Sequence, residues 1–260
     1  MTILETINHY KKREVASKKQ AFPVSLLKQS IYFKRPSVSM VSALKKAPVG
    51  IIAEHKRKSP SKSIINDTHL VPEVVEGYEL CGASGISVLT DTKFFGGSMD
   101  DLLLARQTTS IPLLRKEFIV DPYQIYEAKA FGADVILLIA ASLSKKEVSE
   151  FSKLAKAIDL EVLVEIHNEE ELEKAIHPAV DMIGVNNRNL KTFEVSIDNS
   201  LQLSEKIPSQ FLKISESGIH SSQVVKKLIS NGFDGFLMGE HFMKTDNPGV
   251  ALKNFISEIV

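Results

Sequence analysis

Glu54 and Lys56 stand two residues apart at the end of an apolar run, Ile51-Ile52-Ala53. A β-strand repeats every two residues, so an acid and a base at this spacing point the same way. That aims two ionisable groups into one site, where protons can be given and taken. The arrangement recurs along the chain. Lys116, Glu165, Asn186, Glu216 and Gly239 each follow an apolar run, directly or one residue later. One polar residue after such a run is an ordinary strand end shedding charge. Five or six at equivalent positions converge on a single pocket. Two glycines add a second kind of chemistry. Ser217-Gly218 follows Ser215-Glu216, and Gly239-Glu240 opens what reads as a short helix, Glu240–Met243. Glycine lets the backbone approach a ligand, leaving N–H groups free to face phosphate oxygens. Phe95 and Phe118 add two apolar rings near the mouth and suit a flat apolar moiety in the ligand. The seven histidines show neither HxH nor HExxH spacing, so no metal is expected.

These residues need a scaffold that brings strand ends together. From residue 49 onward, short apolar runs alternate with longer amphipathic stretches. Eight runs read as strands: Val49–Ala53, Ile86–Leu89, Ile111–Leu114, Val135–Ile139, Val162–Val164, Met182–Val185, Leu212–Ile214 and Gly235–Met238. The spacing predicts helices over Pro122–Phe131 behind an Asp121 N-cap, over Lys145–Ile158 behind Ser144, and over Ser221–Ile229 after His220. Cys81-Gly82-Ala83, Phe131-Gly132-Ala133 and Asn231-Gly232-Phe233 form a weak repeat, each ending a helix just before a strand. Buried strands alternating with helices imply a parallel sheet with right-handed crossovers. Eight units over residues 49–260 is the count of an α/β fold, a closed (β/α)8 TIM barrel, whose site lies at the C-terminal strand ends. An open doubly wound sheet is the alternative; no GxGxxG follows the first strand, which weakens a dinucleotide-binding version.

Residues 1–48 lie outside the eight units and read as an N-terminal helical extension packed on the barrel. Ile3–Lys19 and Ser39–Lys46 are its helices, and Phe22-Pro23 and Arg35-Pro36 break it. The whole chain has zero net charge, yet this extension carries ten Lys or Arg against Glu5 and Glu14. Little aromatic interleaving accompanies those charges, so a solvated helix face is expected and no nucleic acid. Cys81 is the only cysteine, which excludes an internal disulfide, and its apolar surroundings place it in the core. No apolar run is long enough to span a membrane, and Met1–Glu5 lacks the pattern of a signal peptide. A cytoplasmic protein is expected.

Seven stretches, IIAEHKRKSPSKS (51–63), DTKFFGGS (91–98), PLLRKEFIVDPYQIYEAKAFGADVILLI (112–139), VLVEIHNEEEL (162–172), IGVNNRNLKTFEV (183–195), SESGI (215–219) and LMGEHFM (237–243), carry a resemblance. Through them the chain resembles indole-3-glycerol phosphate synthase, a family of the phosphate-binding TIM barrels. It implies a lyase of tryptophan biosynthesis. The substrate would be 1-(o-carboxyphenylamino)-1-deoxyribulose 5-phosphate, closed to an indole with loss of CO2 and water and with no cofactor. It implies that Lys116 is the general acid, that Lys56 pairs with anionic groups of the substrate, and that Glu165 and Glu54 take or relay protons. Asn186 would help hold the carboxylate. Phe95, Phe118, Leu190, Glu216 and Ser217 would contact substrate, with Arg188 supporting the carboxylates. Ser59, Ser217, Gly218, Gly239 and Glu240 would serve the phosphate side. A monomer without a fused second enzyme is expected. Ser63 departs from the family's usual glycine and Glu117 from a common aspartate, while His241 and Phe242 are larger than usual. Two alternatives remain open: another phosphosugar enzyme such as phosphoribosylanthranilate isomerase, and a phosphate-ligand-binding barrel without catalysis.

Overall fold

The computed structural model describes residues 2–60, 64–189 and 192–260. Within them, eight parallel strands close in sequence order: β1 (Ile51–His55), β2 (Gly85–Leu89), β3 (Leu113–Lys116), β4 (Val135–Ile139), β5 (Glu161–Ile166), β6 (Met182–Asn186), β7 (Leu212–Glu216) and β8 (Gly235–Met238), with β8 pairing back to β1. Three helices precede the barrel, α1 (Ile3–Ala21), α2 (Val24–Leu27) and α3 (Met40–Lys46). The crossover helices are α4 (Val71–Leu80), α5 (Thr92–Phe95), α6 (Met99–Thr108), α7 (Tyr123–Ala130), α8 (Lys145–Ala157), α9 (Glu169–Ala175), α10 (Asp198–Ser204) and α11 (Ser222–Ser230). After β8 come α12 (Glu240–Met243) and α13 (Pro248–Ser257).

Local chemistry explains the boundaries. Ser144 and Glu147 form the capping box that starts α8, and Thr2 with Glu5 does the same for α1. Asp121 is not the cap of α7. Pro122 holds that position in a helical conformation, and Asp121 instead accepts from the Tyr123 N–H at 2.8 Å. Ser221, not His220, precedes α11 and accepts from the Val224 N–H. The repeated glycines Gly82, Gly132 and Gly232 all adopt positive φ (95°, 88° and 81°), the left-handed conformation that ends a helix. Cys81 is partly buried against the outer core.

Alternation along each strand divides the apolar residues into two cores. Outward residues such as Ala53, Ile86, Val88 and Ile136 pack under the helices. Inward residues, including Ile52, Leu114, Leu137, Leu163 and Ile214, fill the barrel. Met40 and Leu44 of α3 join this inner core and plug its lower end. A side chain at Gly85 would occupy the space of the Met40 thioether, so glycine at the start of β2 is what admits the plug. The opposite, upper end is covered in part by Ile3, Leu4 and Ile7 of α1. Residues 2–46 thus touch both ends of the barrel. Between them, Arg35 bonds the fully buried Asp134 at 2.5 Å, and Asp134 also accepts from Arg106 and from the Leu113 N–H at 2.9 Å.

Candidate active site

Along β1 the inward positions run Ile52, Glu54 and then Lys56 just beyond the strand; along β3 they run Leu114 and Lys116; along β5, Leu163 and Glu165. β6 contributes Asn186 and β7 Glu216. In each case the polar group belongs to the strand's last turn of pleat or its first residue beyond. Hydrophobic runs alone underestimate these strands, because ladder hydrogen bonds use backbone and ignore side-chain polarity. His55, between Glu54 and Lys56, turns away into the helix layer and is buried there; burial, then Arg57, lowers its pKa to about 4.

Lys116 is the hub of the floor. Its Nζ pairs with Glu216 Oε2 and lies 3.6 Å from Glu165 Oε2. Burial opposes charge on this amine, but Glu216, Glu165 and Glu54 outweigh it and hold the ammonium well above the usual lysine range. Lys56 Nζ sits 2.6 Å from Glu54 Oε1. Burial would raise the Glu54 pKa; Lys56 and Lys116 overcome that and lower it. Glu216 goes the other way. Burial is the largest influence, Lys116 opposes it, and Glu165 and Glu54 add repulsion, so its pKa rises to about 7. Its Oε1 is buried without a hydrogen-bond partner among the described residues. Two close approaches make room for these carboxylates: a Cβ at Gly184 would collide with Glu216 Oε1, and one at Gly239 would come within 2.8 Å of Glu54 Oε1.

The walls sort by chemistry. Phe95 and Phe118 face each other with ring centroids 5.7 Å apart and planes tilted by 39°. Opposite lie Ser217 and Gly218, both at positive φ (67° and 71°), and Gly239 at the start of α12. Ser217 is not glycine, so its left-handed backbone is held against a steric preference. Asn187 does this holding, donating from Nδ2 to Ser217 O at 3.1 Å and to Ser215 Oγ at 3.0 Å. Ser59 lies in the loop after β1. The base of that loop is closed by Arg57 O, which accepts from the Ile65 N–H at 2.7 Å, and by a two-pronged Arg57–Asp101 pair at 2.5 and 2.9 Å. Asn186 Oδ1 accepts from the Arg188 N–H, and the Arg188 guanidinium donates to Phe193 O. No ion pair joins Arg188 to Glu54, Glu165 or Glu216 among the described residues.

Glu54, Lys56, Ser59, Phe95, Lys116, Phe118, Glu165, Asn186, Arg188, Glu216, Ser217, Gly218, Gly239 and Glu240 therefore line one cavity. Leu190 and Ser63 lie outside the described residues. Sequence reasoning missed Ile3, Leu4 and Ile7, which cover the mouth from α1, and Phe193 and His241, which also line it. Ile3, Leu4 and Ile7 do follow helical spacing, the one signal that could have marked them as a buried face. No group of three or more His, Cys, Asp or Glu side chains is arranged to hold a metal ion among the described residues. None of their helices is long and apolar enough to cross a membrane.

One expectation for the extension is overturned. Lys11, read as part of a solvated basic face, is 1% exposed. Its Nζ lies 3.0 Å from Asp91 Oδ2 and 3.1 Å from both Glu117 Oε1 and Glu14 Oε2. Asp91 caps α5 by accepting from the Phe94 and Phe95 N–H groups, and Glu117 Oε1 accepts from the Phe118 N–H at 2.9 Å. Glu117 Oε2 also accepts from Thr90, which in turn accepts from the wholly buried Arg115. Lys11 thus anchors α1 to the two segments that present the aromatic rings. A helix-surface reading of charge fails here because it cannot see a carboxylate that arrives from 80 or more residues away.

A family profile described as Indole-3-glycerol phosphate synthase matches residues 4–255. An indole-3-glycerol phosphate synthase from Bacteroides thetaiotaomicron is 47% identical over 257 residues, covering 99% of this chain and 98% of that one. One from a Polaromonas species is 42% identical over 254 residues, covering 96% of each. Among solved structures, the tryptophan synthase subunit alpha from Legionella pneumophila shares the fold, with a TM-score of 0.61 at 14% identity over 85% of this chain and 97% of that one.

Proposed function

The chain belongs to the indole-3-glycerol phosphate synthase family, and from that premise we propose how its own residues divide the reaction. The enzyme is a carboxy-lyase of tryptophan biosynthesis. It closes 1-(o-carboxyphenylamino)-1-deoxyribulose 5-phosphate to indole-3-glycerol phosphate, releasing CO2 and water. One observation carries the assignment of roles: a buried lysine, Lys116, held among three carboxylates at the floor of a cavity with aromatic rings on one side and tight backbone turns on the other.

The phosphate is assigned to the Ser217-Gly218 and Gly239-Glu240 turns, with Ser59 on the same side, and the aromatic ring to the Phe95–Phe118 wall. Asn186 and Lys56 take the ring carboxylate, and Arg188 steadies the Asn186 loop. The ring carbon bearing the carboxylate attacks the ketone carbon. The carbonyl π-electrons move to oxygen, and Lys116 gives that oxygen a proton. The bond between ring and carboxylate then breaks, its electrons restore aromaticity, and CO2 leaves neutral. In dehydration the new hydroxyl takes a proton from Lys56 and departs as water, while the adjacent carbon loses its proton to a carboxylate. We assign that last step to Glu165. Glu54 is engaged by Lys56 at 2.6 Å, whereas Lys116 stands 3.6 Å from Glu165 and leaves that carboxylate freer to accept a proton. Glu165 can hand its proton back to Lys116, 3.6 Å away, and Lys56, 20% exposed, is recharged from solvent. Two protons given and one taken match a reaction in which an anionic carboxylate leaves as neutral CO2. The proposal includes residues 1–48 as an extension of the 49–260 barrel, and a monomer in the cytoplasm.

The chain has no tryptophan, so an indole product is read directly by its fluorescence. Glu165→Gln should lower kcat by about 10²-fold and change KM by no more than about twofold. An unchanged kcat would transfer the proton-abstracting role to Glu54. A second test uses the raised pKa of Glu216. Below about pH 7 this group is neutral; above it, an added negative charge opposes the anionic substrate. KM should therefore rise as pH climbs through about 7, and kcat/KM should fall. Glu216→Gln, permanently neutral, should keep the low-pH KM throughout; a parent-like rise in the variant would exclude Glu216 as its source.

A further inference from the structure

His167 is a titratable group beside the site that the roles above leave unused. It stands one residue beyond β5 and two beyond Glu165, so both side chains share a face. Both ring nitrogens face carboxylates. Nδ1 is 3.0 Å from Glu171 Oε2, and Nε2 is 3.6 Å from Glu165 Oε1. Glu171 is fixed in place: its Oε2 also accepts from the His167 N–H at 2.8 Å, and its Oε1 from Asn168 Nδ2 at 3.1 Å. Nε2 is buried and has no hydrogen-bond partner among the described residues. A neutral imidazole has one donor and one acceptor, so one nitrogen would present a lone pair to a carboxylate oxygen. Only the imidazolium suits both neighbours.

Glu165 therefore lies between two cations, with Lys116 at Oε2 and His167 at Oε1. Their histories during a turnover differ. Lys116 gives up its proton at ring closure, before Glu165 has acted. Glu165 must then hold its position without that counter-ion until the proton on carbon is released. We propose that His167 is a positioning residue for the reaction: its imidazolium, anchored on Glu171, holds the Glu165 carboxylate in place and aimed at the substrate after Lys116 has become neutral. This rests on Glu165 being the base assigned above. The surroundings favour the charged ring. Burial lowers its pKa, but Glu171, Glu165 and, from β7, Glu216 outweigh burial and raise it. Glu5 of α1, and Arg188 and Glu194 of the segment after β6, line the cavity on the outer side of His167.

The test measures kcat and KM against pH for the parent, His167→Gln, His167→Lys and Glu165→Gln. Parent kcat should decline as pH rises through the His167 titration. His167→Gln should lower kcat about 10-fold below that point, the loss expected when the base is no longer held in position, with KM changed less than about twofold and the alkaline decline gone. His167→Lys, which keeps the cation, should restore most of kcat and carry the decline to higher pH. A parent-like kcat and pH profile in His167→Gln overturns the proposal, as does equal loss in the Gln and Lys variants, which would mark a purely steric role. If Glu165→Gln is itself fully active, the assignment of the base has failed instead. NMR titration of the His167 ring in the parent needs no variant: a midpoint above the ordinary value of about 6.5 is expected, and one at or below it overturns the proposal.

Discussion

Lys116→Ala is expected to lower kcat by about 10³-fold or more while the protein stays folded. Two losses combine. A general acid contributes about 10²–10⁴-fold, and a fixed cation beside the developing alkoxide stabilises it further in a water-poor site. Lys116 is suited to both because three carboxylates keep it protonated until the ketone oxygen becomes basic enough to compete. The substitution has a second consequence. Glu216, Glu165 and Glu54 lose a shared counter-ion and are left buried beside one another. Added alkylamines should therefore restore little activity, since the carboxylates no longer hold a cation in one place. Indole fluorescence under saturating substrate measures the effect. A kcat within about tenfold of the parent, in a variant with an unchanged thermal transition, would mean that another group protonates the ketone.

Lys11→Met should cost about 3–5 kcal/mol of stability, the usual result of removing one partner from a buried ionic cluster. Asp91 and Glu117 are 0% and 2% exposed and would lose the ammonium that lies between them, leaving Glu117 only Arg115 at 3.6 Å. For a chain of this size the loss corresponds to a fall in Tm on the order of 10 °C. The damage should also reach the site selectively. Asp91 holds the turn that presents Phe95 and Glu117 holds the backbone of Phe118, so the aromatic wall loosens while the Lys116 floor, on the inward face, stays in place. KM should rise more than kcat falls. Adding Glu117→Gln to Lys11→Met removes one stranded charge and should recover part of the stability. A Tm within about 2 °C of the parent would show that the cluster relaxes or hydrates without cost.

Lys11 also shows where a linear reading of the chain stops. Ten basic residues on helix-like stretches look alike in one dimension, and most of them do face solvent. Lys11 differs only because β2 and β3 deliver Asp91 and Glu117 to its ammonium. Strand ends show a related limit. The apolar runs located all eight strands, yet β3, β5 and β7 continue through Lys116, Glu165 and Glu216. Hydrophobic patterning reports which face is buried, whereas the ladder continues wherever the backbone stays extended. The departure at Glu117 acquires a reason only in three dimensions: the longer carboxylate touches Lys11, Thr90 and the Phe118 N–H together.

The sequence by itself determined the alternation of eight strand–helix units, the inward spacing of Glu54 with Lys56, the left-handed glycines that end helices before strands, and the motifs that identify the family. Each is encoded within about 20 neighbouring residues, where backbone geometry sets the period. The tertiary structure alone decided that Lys116 pairs with Glu216, 100 residues away, that Glu216 is pushed up to about 7, that Lys11 is buried, and that His167 stands between two carboxylates. Those properties depend on distance and on exclusion of water. Neither exists until the barrel closes and residues from separate strands share one desolvated space.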